Sequence, residues 1–163
     1  MNAAHWHLAM NHIPVVGTVF AAGLLAFALW KKRSELFGVC LGAFVILAVL
    51  TVPVYLTGGR AEEVIMEMPG VEVDEALVAP HETAARIAFI GIAVLGVVAL
   101  GGLIAGRKAP VPPRAVVITV FLLSLIEAGL LVRTANLGGN IRHPEIRSAS
   151  PATAAPAAKS GSE

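Results

Sequence analysis

The sequence predicts an all-α integral membrane protein: an antiparallel four-helix transmembrane bundle with a helical loop on its outer side. Three observations carry this reading. Of the 163 residues, 56% are hydrophobic and 14% charged, whereas a soluble domain carries charge on roughly a quarter of its residues. Apolar runs recur four times, at about residues 13–30, 36–56, 84–106 and 115–135, each near the roughly 20 residues that a hydrocarbon core requires. The connections at 31–35 and 107–114 are very short and hold six of the twelve basic residues. Short connections favour up-and-down neighbours, and the positive-inside rule puts these turns in the cytoplasm. The expected location is the bacterial inner membrane, with the N-terminus, the acidic 59–83 segment and the C-terminus outside.

Local signals support each span in order. Asn11 is placed to cap the first helix, with Pro14 in its first turn, where a missing N–H is not needed. The second run is free of charge; Pro53 near its end predicts a kink or loosened last turns, and Gly58-Gly59 predicts its stop. Residues 61–68 read as a separate short helix ended by Pro69-Gly70. Asp74 is a good N-cap for a helix that runs through His81 into the third span, with Pro80 kinking or dividing it. Pro110, Pro112 and Pro113 mark the next turn, and Asn136-Leu137-Gly138-Gly139-Asn140 ends the fourth run. Gly38 with Gly42, and Gly102 with Gly106, form small-residue pairs through which helices can approach. The membrane domain is expected to cover residues 1–147; residues 148–163, dominated by Ala, Pro, Ser and Thr, read as a disordered tail.

Composition also excludes several functions. A net charge of +1 gives no reason to expect nucleic acid. Cys40 is the single cysteine, so no internal disulfide forms, and no C-x-x-C-H run indicates covalent haem attachment. No cleavable signal is expected, because Lys31, Lys32 and Arg33 follow the first apolar run instead of preceding it. Phosphate loop, Rossmann fingerprint and nucleophile triad are absent, and His81-Glu82 lacks the second histidine of a zinc-protease motif.

The topology brings all five histidines to one end. His5, His7 and His12 precede the first helix, His81 precedes the third and His143 follows the fourth. Neutral imidazole binds zinc, copper or haem iron, and ligands from separate helices commonly meet inside a bundle. The opposing reading is that interfacial histidines cap helices or sit in water. Five residues separate His7 from His12, which is about 140° on a continuous helix. Either the chain bends near Asn11, or the two histidines serve different partners. If the opening is extended, His5 and His7 face one way around Trp6, itself an interfacial anchor. His12 is expected to be the central ligand, being closest to an apolar run and restrained by Pro14. His81 and His143, each near a helix end, are its expected companions; His7 ranks next and His5 last.

His7-x-x-x-x-His12-x-Pro14 resembles the opening of a family of small bacterial four-helix membrane proteins of unknown function. Gly138-Gly139-Asn140-Ile141-Arg142-His143 is similar to that family's closing Gly-Gly-to-His motif, with one residue fewer before the histidine. His81 matches a histidine near the third helix in position only, and Leu8 stands where the family often has proline. The resemblance covers roughly residues 7–143. It implies the four-helix membrane fold and singles out His7, His12, His81 and His143; it implies no activity.

Glu127 is the one acidic residue inside an apolar run. A carboxylate in lipid costs a few kcal/mol or more, so Glu127 is expected to face the interior, with Arg86 or a histidine as partner. A proton relay, a contact orienting a metal ligand and a structural hydrogen bond between helices are its three readings. Arg142 is suited to an anionic group, such as a haem propionate or a lipid phosphate, or to the acidic 62–75 segment.

Three functions fit these features. One is a b-type haem electron-transfer subunit, with His12 and either His81 or His143 on opposite faces of the porphyrin and a redox partner or larger membrane complex beside it. The second is a copper or zinc membrane protein using three or four of His7, His12, His81 and His143. The third is a non-catalytic membrane scaffold, whose partner is the lipid bilayer and whose histidines are merely interfacial.

Overall fold

The computed structural model describes residues 2–69, 74–108, 111–143, 145 and 147, and among them it is helical throughout, with no strand. The expected tail at 148–163 lies outside the described residues. Five helices follow in order: α1 (Ala3–Met10), α2 (His12–Trp30), α3 (Phe37–Met66), α4 (Glu75–Ala105) and α5 (Arg114–Arg142). Four helical columns are long and apolar enough to cross a membrane: α1 with α2, then α3, α4 and α5. The chain is therefore an all-α membrane bundle, as its composition and apolar runs predict.

The opening is helical instead of extended. The Asn2 side chain accepts from the His5 backbone N–H at 3.0 Å and starts α1. Eight residues alone are marginal as a helix, and α1 is held by packing along α3. Asn11 does not cap α2 with its side chain; its backbone is helical (φ −62°, ψ −23°) and its N–H bonds to the His7 carbonyl. The chain thus passes from α1 into α2 with only a one-residue irregularity, and Pro14 sits in the first turn of α2, where it loses nothing.

α2 ends in a Schellman turn. The Arg33 N–H reaches the Ala28 carbonyl at 2.8 Å, the Lys32 N–H reaches that of Leu29 at 3.3 Å, and Lys32 adopts φ 55°. Glycine is usual at such a left-handed position; here a lysine occupies it, and Lys31 lies over the Trp30 ring at 4.0 Å.

Two expected stops do not operate. α3 continues through Pro53 and Gly58-Gly59 to Met66, so residues 61–66 are its last turns and not a separate helix. Hydroxyls engage the carbonyls around the proline: Thr51 donates to Leu47 at 2.7 Å, and Thr57 to Pro53 at 2.8 Å and to Val54 at 3.0 Å. Ala61 is buried, so packing pulls the segment beyond the glycines into the helix. Likewise α5 runs through Gly138-Gly139-Asn140 to Arg142. Its last carbonyls are met by Arg147, which donates to Asn140 at 2.7 Å and to Ile141 at 3.2 Å. α4 begins as predicted, Asp74 accepting from the Ala76 N–H at 3.0 Å, and Pro80 does not divide it.

The spanning helices form a ring in which α2 packs on α3, α3 on α4, α4 on α5 and α5 on α2; α1 adds to the α3 side. Leu25, Leu41, Phe44, Ile92, Leu95, Val117 and Val120 fill the centre, while residues such as Val16, Phe20, Val97 and Ile126 face outward as a lipid-exposed surface requires. The close approaches are not all at the expected glycines. A Cβ on Gly38 or Gly42 would meet nothing within 4 Å, because both lie on the outer side of α3. Gly102 does meet Leu41 and Val116, Gly106 meets the Pro112 backbone at 3.1 Å, and further tight positions include Gly17 against Leu47, Gly91 against Glu127 and Gly96 against Ala48.

Gly96→Ala should destabilise the bundle by about 1–3 kcal/mol through overpacking against α3. Gly101→Ala, where an added methyl has open space, should change it by no more than about 0.5 kcal/mol. Reversible unfolding in mixed micelles checks the pair, and equal stabilities would show that Gly96 is not a contact point.

Candidate functional site

Two histidines are seated alike at the end of the bundle that carries the chain's N-terminus. On α1, His7 places Nδ1 3.0 Å from the Val54 carbonyl of α3. On α4, His81 places Nδ1 3.1 Å from the Thr134 carbonyl of α5. A carbonyl oxygen only accepts, so in both rings Nδ1 carries the proton and donates. Each carbonyl belongs to a helix, and that of Val54 is shared with the Thr57 hydroxyl at 3.0 Å. The Thr57 hydroxyl, 3.4 Å from His7 Nδ1, adds a second polar contact there.

The packing repeats as well. One turn beyond Val54 lies Gly58, where an added Cβ would stand 3.6 Å from His7 Cε1; one turn beyond Thr134 lies Gly138, where it would stand 3.0 Å from His81 Cε1. In both cases a glycine four residues after the accepting carbonyl leaves room for an imidazole. This explains in part why glycines stand near the ends of α3 and α5 without ending them. The two rings are half-buried. With Nδ1–H engaged, the neutral imidazole presents its free lone pair at Nε2. Anchoring one ring nitrogen on a backbone carbonyl is the arrangement by which proteins orient a metal-binding imidazole.

The other expected site residues lie elsewhere. His12 is exposed and has no hydrogen bond among the described residues. On the nearly continuous α1–α2 column it lies about 140° round from His7, on the outside of α2 beside the exposed Ile13. His5 is exposed too. His143 follows α5 and donates from Nδ1 to Glu145 at 2.8 Å, both side chains being open to solvent. The Glu145 carboxyl is held below its usual range by the hydrogen bond from its own backbone N–H and by His143. Arg142 is exposed at the end of α5. Among the described residues no three of His, Cys, Asp and Glu gather as a metal-binding group.

Glu127 is buried, 2% exposed, as expected, but neither expected partner reaches it. Arg86 is exposed, and both carboxyl oxygens lack a hydrogen bond among the described residues. Its carboxyl group lies against Gly91 of α4. Glu127 thus makes no hydrogen bond to another helix among the described residues. Between α3 and α4 runs an apolar groove of about 250 Å³ lined by Ala48, Val52, Phe89, Gly96 and Leu100 among others; none of these is a metal ligand.

In protein labelled with ¹⁵N-histidine, His7 and His81 should both give the Nδ1–H tautomer. Gly138→Ala should disturb His81 alone, because the new methyl crowds its ring, whereas Gly58→Ala should be tolerated at ordinary contact distance. A His81 resonance unchanged by Gly138→Ala would show that the ring is not seated against α5.

No family model matches the chain, and no curated protein and no solved structure matches it. The resemblance of its opening and closing motifs rests on those motifs alone.

Proposed function

We propose that this membrane protein is an electron-transfer subunit that binds a b-type haem between His7 and His81. The observation that carries the proposal is the matched seating of the two imidazoles, each with Nδ1–H on a carbonyl of the neighbouring helix and Nε2 free. Ligand number favours haem over a bare ion. Haem iron brings four porphyrin nitrogens and asks the protein for one or two axial ligands. Zinc asks for three or four protein ligands, and among the described residues no three of His, Cys, Asp and Glu gather. A copper or zinc site would have to recruit His12 or His143, which face away or follow the helix end. Arg142, on the last turn of α5, is suited to a propionate at the same end. A redox partner or larger membrane complex would exchange electrons with the haem. When bound, the haem would supply a one-electron couple; the chain's own residues orient the two imidazoles and fix their tautomers.

The visible spectrum of protein purified from its native membrane tests this. A Soret band is expected, to be lost in His7→Ala and in His81→Ala and kept in His12→Ala and His5→Ala. Full haem content in His81→Ala would overturn the assignment. Stoichiometric copper or zinc without a Soret band would select the metal reading, and neither would select the scaffold.

The same proposal puts the histidine end outside and the basic turns in the cytoplasm, supported by Lys31, Lys32, Arg33, Arg107 and Lys108 flanking those turns. In a Cys40→Ala background, a cysteine at Ser34 should react only with reagent on the cytoplasmic side, and one at Glu67 only with reagent outside. The opposite pattern would invert the bundle.

A further inference from the structure

Glu127 of α5 is 2% exposed, and neither carboxyl oxygen has a hydrogen-bond partner among the described residues. The contacts between helices fix its depth. Its carboxyl group lies against Gly91 of α4. Gly96 of α4 packs on Ala48 of the antiparallel α3. Five residues from each toward the histidine end stand Gly91 and Pro53, so these two are level. The Phe89 ring stacks on Tyr55, two residues further along each helix, in agreement. Gly17 of α2 packs on Leu47 of α3, and six residues from each toward the same end stand Asn11 and, again, Pro53. His7, one turn beyond Asn11, meets the carbonyl of Val54, which keeps the same register. Asn11 and Glu127 therefore share one level of the bundle to within about a turn.

The polar groups at this level are acceptors. Asn11 has a helical backbone and stands three and seven residues before the buried Pro14 and Thr18, in line with the inner face of α2. Its Oδ1 is buried and, like the Glu127 oxygens, has no partner among the described residues. α2 packs on both α3 and α5. Pro53 itself is exposed; Thr51, two residues away, is buried, but its hydroxyl hydrogen is spent on the Leu47 carbonyl at 2.7 Å. No positive side chain answers the carboxyl group. Arg86 of α4, Arg133 of α5 and His12 at the start of α2 are exposed, and α3 has no charged residue before Arg60. His7, one turn above Asn11, commits its Nδ1–H to Val54. Turned over, the Asn11 amide would offer an N–H but no charge. A carboxylate without counter-charge is not sustained in such a place.

We propose that Glu127 and Asn11 hold one exchangeable proton inside the membrane bundle, carried on a Glu127 oxygen and donated to Asn11 Oδ1. The proton removes the charge and supplies the donor that the level lacks. A calcium ion takes roughly six to eight oxygens and a magnesium ion about six, more than one carboxyl group, one amide and one hydroxyl provide. Asn11 as a whole is only half-buried, which gives the proton its way in from the histidine end. Gly91 is part of the site, since any side chain there would displace the carboxyl group.

Infrared spectra of the full chain in lipid vesicles at neutral pH test the proposal. The wild type should show the C=O stretch of a carboxylic acid, shifted down in D₂O as the proton exchanges. The band should vanish in Glu127→Gln and move to higher frequency in Asn11→Leu, where the acid loses its acceptor. Thr18→Val, about two turns deeper on α2, should leave it in place. Circular dichroism establishes that each variant is folded, and Gly91→Ala, which displaces the carboxyl group without removing it, should also shift the band should Glu127→Gln fail to fold. Absence of the band in the wild type, its survival in Glu127→Gln or an unchanged position in Asn11→Leu would overturn the proposal. So would a band that does not respond to D₂O. Replacement by a carboxylate band when sodium is substituted for choline would overturn the proton in favour of a metal ion. His7→Ala should keep the band, so the outcome is separate from that of the haem site.

Discussion

Within a hydrocarbon layer no backbone N–H or C=O can be left to water, and every such group has to be satisfied inside the protein. Helices meet that condition by themselves, which is why the described residues contain nothing else across the spans. The condition also shapes the exceptions. Pro53 withholds an N–H, and threonine hydroxyls on either side of it turn to helix carbonyls. Val54 and Thr134 each use a carbonyl that also accepts from an imidazole. The residues that look most functional are thus positioned by the backbone's own hydrogen-bonding capacity, not by other side chains.

That economy of polar groups makes the two sets of exceptions stand apart. The histidines lie where the bundle meets the polar boundary, half-buried, each with one nitrogen satisfied. Glu127 lies a few turns deeper, nearly sealed, and unsatisfied. A satisfied ring with a spare lone pair is suited to hold a ligand in a fixed direction. An unsatisfied carboxyl group is suited to respond to what reaches it, because its energy depends on whether a charge is present.

The spans and their order were legible because apolar runs of the required length have few alternatives, and Asp74 was legible as a cap because its partner, Ala76, is local. The continuation of α3 through Gly58 and of α5 through Gly138 was not legible. Glycine runs usually break helices, and what they do here depends on His7 and His81, 47 and 53 residues from the carbonyls they bind. The outward placement of His12 was not legible for a related reason. Distance from an apolar run says nothing about helical phase, and the packing of α1 on α3 sets that phase. Burial of Glu127 followed from the cost of charge in lipid. Its lack of a partner did not, since Arg86 sits in the right part of the sequence but on the outward side of α4.

The seat of His7 has a consequence for biosynthesis. The N-terminal helix emerges first, yet the carbonyl that receives it belongs to a residue 47 positions later. Until α3 has been made and inserted, both the helix face on which α1 packs and the carbonyl that holds His7 are missing. His81 waits in the same way for α5, 53 positions on. Both imidazoles are therefore fixed only after the last span has joined the bundle, so a complete pair can exist only in a complete chain.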